Sequence, residues 1–160
     1  VDGKVLQMDG RRIVSFERYL RHPVEKVWRA IASPEQIAKW LTVQSELELS
    51  VDGQLVFRWE NGDVVQGKFT KVDPPYELEY TWLEEALGYS VVRWRLKDEG
   101  VGCHLHLTHT FFYESAVVPD FLAGWHVHLE ALDDVLNEQF TRFPWERVKE
   151  MRTTYASIMS

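Results

Sequence analysis

Leu122, Trp125, Leu129, Leu132, Leu136 and Phe140 recur at spacings of three and four. They form the apolar stripe of a helix running from Pro119 to about Phe140. A stripe that long has to be covered, and a protein of 160 residues has few surfaces large enough to cover it. The preceding residues supply one. Strand patterns run over Glu46–Ser50, Gln54–Glu60, Asp63–Val72, Tyr76–Leu83, Tyr89–Lys97 and Gly102–Phe112, with turn chemistry at Asp52-Gly53, Asn61-Gly62, Pro74-Pro75 and Asp98-Glu99-Gly100. Alternation places Leu78/Tyr80/Trp82, Val92/Trp94/Leu96 and Leu105/Leu107 on one face. The expected object is an antiparallel meander whose concave face receives the helix.

The N-terminal part adds a hairpin and two short helices. Val5–Met8 and Arg12–Leu20 flank an Asp9-Gly10 turn. In the second arm Val14, Phe16 and Leu20 share a face, and the same period places Arg18 with them. Pro23 suits a first helical position, and Val27, Trp28 and Ile31 make the apolar side of that helix. Ser33-Pro34-Glu35 then restarts a second helix ending at Trp40.

The block FERYLRHPVEKVWRAIASPEQIAKW (Phe16–Trp40) resembles the opening of the heat-shock-protein-90 ATPase activator homologue family of the START-like (SRPBCC) superfamily, in its single-domain bacterial form. Three later blocks resemble the same family: GKFTKVDPPYELEYTW (Gly67–Trp82), HLTHTFF (His106–Phe112) and GWHVHLEAL (Gly124–Leu132). The resemblance implies an α+β helix-grip fold, a curved antiparallel sheet wrapped around a long C-terminal helix. It covers residues 3 to about 140, so the expected division is a helix-grip domain over 1–140 and a helical tail over 141–160. In that tail Trp145, Val148, Met151 and Tyr155 have roughly helical spacing, suited to docking on the body or on a second subunit as a homodimer.

Charge narrows the function classes. A net charge of -7 with no extended basic cluster argues against nucleic-acid or anionic-membrane surfaces. No apolar run approaches the ~20 residues of a membrane span, VDGKVLQMDG does not read as a signal peptide, and the one cysteine, Cys103, fits a reducing compartment. The expected location is cytoplasmic.

Candidate chemistry is sparse. No phosphate loop, dinucleotide fingerprint or GxSxG is present, and no cofactor is expected. His104 and His106 alternate against core residues and so face outward. His126 and His128 lie about 200° apart on a helix, so the four do not form a metal site, and the helical pair reads as a solvated flank. Glu46, Glu48, Glu77 and Glu79 read as a solvated sheet face, and Glu84 and Glu85 as a loop that could gate an opening.

His109 continues the inward alternation, as a core histidine or as a polar contact at a cavity wall. Arg18, also inward, requires a carboxylate, carbonyls or an anionic ligand. Seven tryptophans are present, and each needs an outlet for its indole N–H. The leading expectation is a cavity between sheet and helix for a hydrophobic or aromatic small molecule, walled by Arg18, Trp40, Trp82, Trp94, His109 and Trp125, with no catalytic residue assigned. The resemblance implies a second reading, a co-chaperone-like module that binds a chaperone or other protein. A third is a cyclase- or dehydratase-type enzyme using His109.

Overall fold

Alternating apolar residues and turns at Asp9-Gly10 and Asp98–Gly100 set up the strands, and one long-range pairing closes them into a single sheet. The structure, a computed structural model, describes residues 3–84, 88–112, 118–139 and 142–159. Strands β1 (Lys4–Met8) and β2 (Arg11–Leu20) form the first hairpin. Helices α1 (Val24–Ala32) and α2 (Pro34–Trp40) follow. The remaining strands are β3 (Gln44–Leu47), β4 (Gln54–Arg58), β5 (Val64–Asp73), β6 (Glu77–Glu84), β7 (Gly88–Glu99) and β8 (Gly102–Phe111). Two helices end the chain, α3 (Val118–Leu136) and α4 (Trp145–Met159).

The sheet order is β1-β2-β8-β7-β6-β5-β4-β3. From β3 to β8 every strand pairs with its sequence neighbour, as a meander requires. The β2–β8 seam, with Phe16 opposite Leu107, brings the N-terminal hairpin onto the far end of the meander. Local alternation carries no information about that seam. Gly62, at φ +95°, makes the β4–β5 hairpin turn that the Asn-Gly pair announced.

One face of the curved sheet grips α3, the helix-grip arrangement. Leu122, Trp125, Leu129, Leu132 and Leu136 of α3 are buried, together with Phe16, Tyr80, Trp94, Leu105, Leu107 and Phe111 of the sheet. Small differences from expectation have local causes. Pro23 is the N-cap of α1 and accepts from the Lys26 and Val27 amides, so the helix proper begins at Val24. Ser33 caps α2 with its backbone alone, and Pro34 occupies the first turn. Helix α3 stops at Leu136; Phe140 lies outside the described residues. Among the described residues, no helix is long and apolar enough to cross a membrane.

The reading of His126 and His128 as a solvated flank is corrected: each is only 8% exposed. The cause is α4, which packs along α3. Arg147 donates two hydrogen bonds to Glu130, at 2.6 and 2.8 Å, and Arg152 pairs with Asp120. Tyr155 is buried, with its hydroxyl 2.9 Å from His126 Nδ1, and accepts from the Gly3 amide at 3.0 Å. His128 stacks on Phe143 at 4.3 Å. The outer side of α3 is therefore a second packing face, made from polar residues whose partners lie far away in sequence.

Candidate functional site

The centre of the grip is filled. Trp40, Trp94, Trp125, Trp82 and Trp59 form a continuous chain of ring contacts with centroids 5.6–5.9 Å apart, mostly edge-to-face or tilted. That geometry is favourable for aromatic quadrupoles. Each of these five indoles also disposes of its N–H. Trp40 donates to the Ala30 carbonyl, Trp59 to the Leu41 carbonyl, Trp94 to the Tyr80 hydroxyl, Trp82 to Glu84 and Trp125 to His109.

His109 is fully buried inside this stack. Trp125 Nε1 donates to its Nδ1 at 3.1 Å, so the neutral ring carries its proton on Nε2. That nitrogen lies 2.7 Å from Ser90 Oγ, and Ser90 in turn donates to the Trp82 carbonyl. The relay Trp125–His109–Ser90–Trp82 ties α3 to three strands and occupies both ring nitrogens. Burial pushes the His109 pKa down to about 3, so the imidazole is neutral at neutral pH. Nothing in this geometry equips His109 to exchange protons with a substrate. Cys103 is likewise buried, and desolvation raises its thiol to about 11.

Open space lies at one end of the grip, where α2, the β4–β5 turn, β6, α3 and α4 converge. Two adjoining clefts share Leu41, Trp59, Asn61 and Trp145. The larger, about 760 Å³, runs between α2 and Phe143 and includes Trp40. The other, about 390 Å³, is walled by Trp59, Trp82, Phe121, Trp125 and Trp145 and carries Asp63, Glu84, Asp120 and His128. Of the six positions read from the sequence as cavity wall, Trp40, Trp82 and Trp125 face these clefts. Trp94 and His109 sit in the packed core beneath them. Arg18 is on the predicted sheet face but near the free side of β2, half-buried over the Phe16 ring at 5.4 Å. Its guanidinium donates to the Glu17 carbonyl, and it lines neither cleft.

Gly124 supplies a further wall of the second cleft, and a Cβ built there meets nothing within 4 Å. A glycine inside a helix is destabilising by roughly 0.5–1 kcal/mol relative to alanine. Close packing does not account for it, since no neighbour approaches. What glycine does here is keep the cleft wide. Glu84 ends β6 instead of lying in a loop, and its Oε1 accepts from Trp82 Nε1 at 2.8 Å. Glu85 lies outside the described residues.

Trp59, Phe121, Gly124 and Trp145 were not singled out as wall residues from the sequence. Trp59 had a usable signal, because it extends the Leu55/Phe57 alternation to the hairpin tip. Trp145 had none, since its place depends on where α4 docks.

A curved sheet gripping one long helix, with an aromatic cleft at its open end, defines a helix-grip protein of the START-like class. Residues 21–137 match the family described as Activator of Hsp90 ATPase homolog 1-like protein, and the chain belongs to that family. Solved structures agree on the fold. A Mesorhizobium loti protein is 28% identical, with a TM-score of 0.74 over 81% of this chain and 100% of its own. CalU16 from Micromonospora echinospora is 22% identical, with a TM-score of 0.77 over 97% of this chain and 94% of its own. The Aha1 dimer from Colwellia psychrerythraea is 19% identical, with a TM-score of 0.71 over 79% of this chain and 97% of its own. No curated protein matches the sequence.

Proposed function

We propose that this protein binds a hydrophobic or aromatic small molecule in the cleft walled by Trp59, Trp82, Phe121, Trp125 and Trp145. The observation that carries the reading is an open, aromatic-walled volume of about 390 Å³ faced by a helical glycine with nothing in front of it. That volume falls within the ~300–1,000 Å³ range of small-molecule sites. The ligand enters at the end of the grip, and the packed indoles beneath act as a rigid floor. Titration with the neutral dye Nile red tests this: one saturable site with blue-shifted emission is expected. Emission that rises linearly without saturating would contradict it.

Family membership favours a second reading, a co-chaperone-like module that stimulates an Hsp90-type ATPase. Its test is ATPase turnover of the purified chaperone from the same source. Stimulation that saturates with this protein supports the second reading, and unchanged turnover at saturating protein rejects it.

A further inference from the structure

We infer that the ligand taken by the 390 Å³ cleft is an organic cation, an ammonium group carried on an aromatic or aliphatic body; this rests on the cleft being a binding site. The first ground is the sign of its charges. Among the described residues, every ionisable side chain on its wall other than His128 is a carboxylate: Asp63, Glu84 and Asp120. Asp120 is neutralised by Arg152, which leaves Asp63 and Glu84. The Asp63 carboxylate accepts from the Asn61 amide at 2.9 Å, and Glu84 accepts from Trp82.

The second ground is His128, which is independent of the carboxylates. It is 8% exposed and lines the cleft. Its Nδ1 lies 2.8 Å from the Trp40 carbonyl, which can only accept, so Nδ1 carries the proton. Nε2 is then a bare lone pair with no hydrogen-bond partner among the described residues. Burial lowers the ring's pKa to about 4, so it stays an acceptor at neutral pH.

The third ground is the shortage of donors. The N–H groups of Trp59, Trp82 and Trp125 are all consumed within the protein, and among the wall indoles Trp145, at the exposed rim, keeps its own. Apart from Trp145 at the rim, the wall offers indole faces, two carboxylates and one imidazole lone pair. Indole faces attract cations through the ring quadrupole. An alkylammonium supplies both missing items, a positive charge and N–H donors. A carboxylate ligand would meet repulsion and find few donors. The Glu84 carboxyl titrates above its usual range, chiefly from desolvation and further from Asp63 nearby, and a cation between the two relieves both.

Three matched probes decide the matter: 2-phenylethylammonium, neutral 2-phenylethanol and phenylacetate, titrated calorimetrically at about pH 7.5 into the whole protein, where a carboxylate and an alkylammonium are both charged. The ammonium is expected to bind at least ~10-fold tighter than the alcohol, with phenylacetate weakest. Glu84→Gln keeps an acceptor for Trp82 and should narrow the ammonium-to-alcohol ratio about 10-fold, and Asp63→Asn should narrow it in the same direction. Equal binding of ammonium and alcohol overturns the cation inference and leaves the cleft reading standing. Tighter binding of phenylacetate does the same. Failure of all three probes to bind overturns both.

Discussion

Replacing Trp125 with alanine is expected to destabilise the protein by about 4 kcal/mol or more, the largest single-residue effect foreseen at this site. Removing a buried indole costs roughly 3–5 kcal/mol through lost burial and residual cavity, and Trp125 is 3% exposed at the centre of the ring chain. The change also strips His109 Nδ1 of its donor, leaving a buried acceptor unsatisfied at a further cost of about 1–3 kcal/mol. Trp125→Phe separates the two contributions, because it keeps most of the ring and loses the N–H. Urea unfolding should therefore place Trp125→Phe about 1–3 kcal/mol below wild type, with Trp125→Ala well below that. A Trp125→Phe variant as stable as wild type would show that the His109 relay contributes nothing.

Stability should fall by about 4 kcal/mol between about pH 7 and 5, a range in which most carboxylates are still ionised. Burial holds His109 at about 3 and His128 at about 4 in the folded protein, whereas an unburied imidazole titrates near 6.5. As pH falls through 6.5 the unfolded chain thus binds protons that the folded chain refuses. Stability is complete above that pH and is lost as pH drops, until each folded pKa is reached. Each histidine contributes up to about 1.4 kcal/mol per pH unit through the window. His106 shifts in the same direction. Glu84 and Asp134, whose pKa values are raised, act oppositely nearer the carboxylate range, so the histidine signal is cleanest above about pH 5. His109→Gln should roughly halve the slope of stability against pH. A flat profile between about pH 7 and 5 would contradict the buried neutral assignment of both rings.

Most of the framework was legible in local pattern. Alternation in Leu78/Tyr80/Trp82 and Val92/Trp94/Leu96 reports which face is buried, Asn61-Gly62 reports a hairpin, and the Leu122-to-Leu136 stripe reports a helix that needs a sheet. The same rules placed His109 inward correctly. They could not say whether inward meant wall or core, because that depends on how far the surrounding indoles fill the grip. Arg18 shows the related limit: period two fixes its face, but its distance from α3 is set by the β2–β8 register. The largest gap concerned α4. Its docking buries Met151 and Tyr155, which the spacing of Trp145, Val148, Met151 and Tyr155 did announce, but where it docks is marked by Arg147–Glu130, Arg152–Asp120 and Tyr155–His126, pairs between elements that single-helix periodicity does not reveal. Without α4 in place, neither the burial of His128 nor the contribution of Trp145 to the cleft can be foreseen.

The cleft in front of Gly124 is the proposed ligand site. Nile red titration of Gly124→Phe tests it most directly, because a Cβ at this position meets nothing within 4 Å and the added ring takes up cleft volume. Substitution within an open helical face should leave thermal stability at or above that of the wild type. Nile red affinity is expected to be at least ~30-fold weaker in Gly124→Phe, a loss of roughly 2 kcal/mol. Wild-type affinity in a folded Gly124→Phe would contradict it.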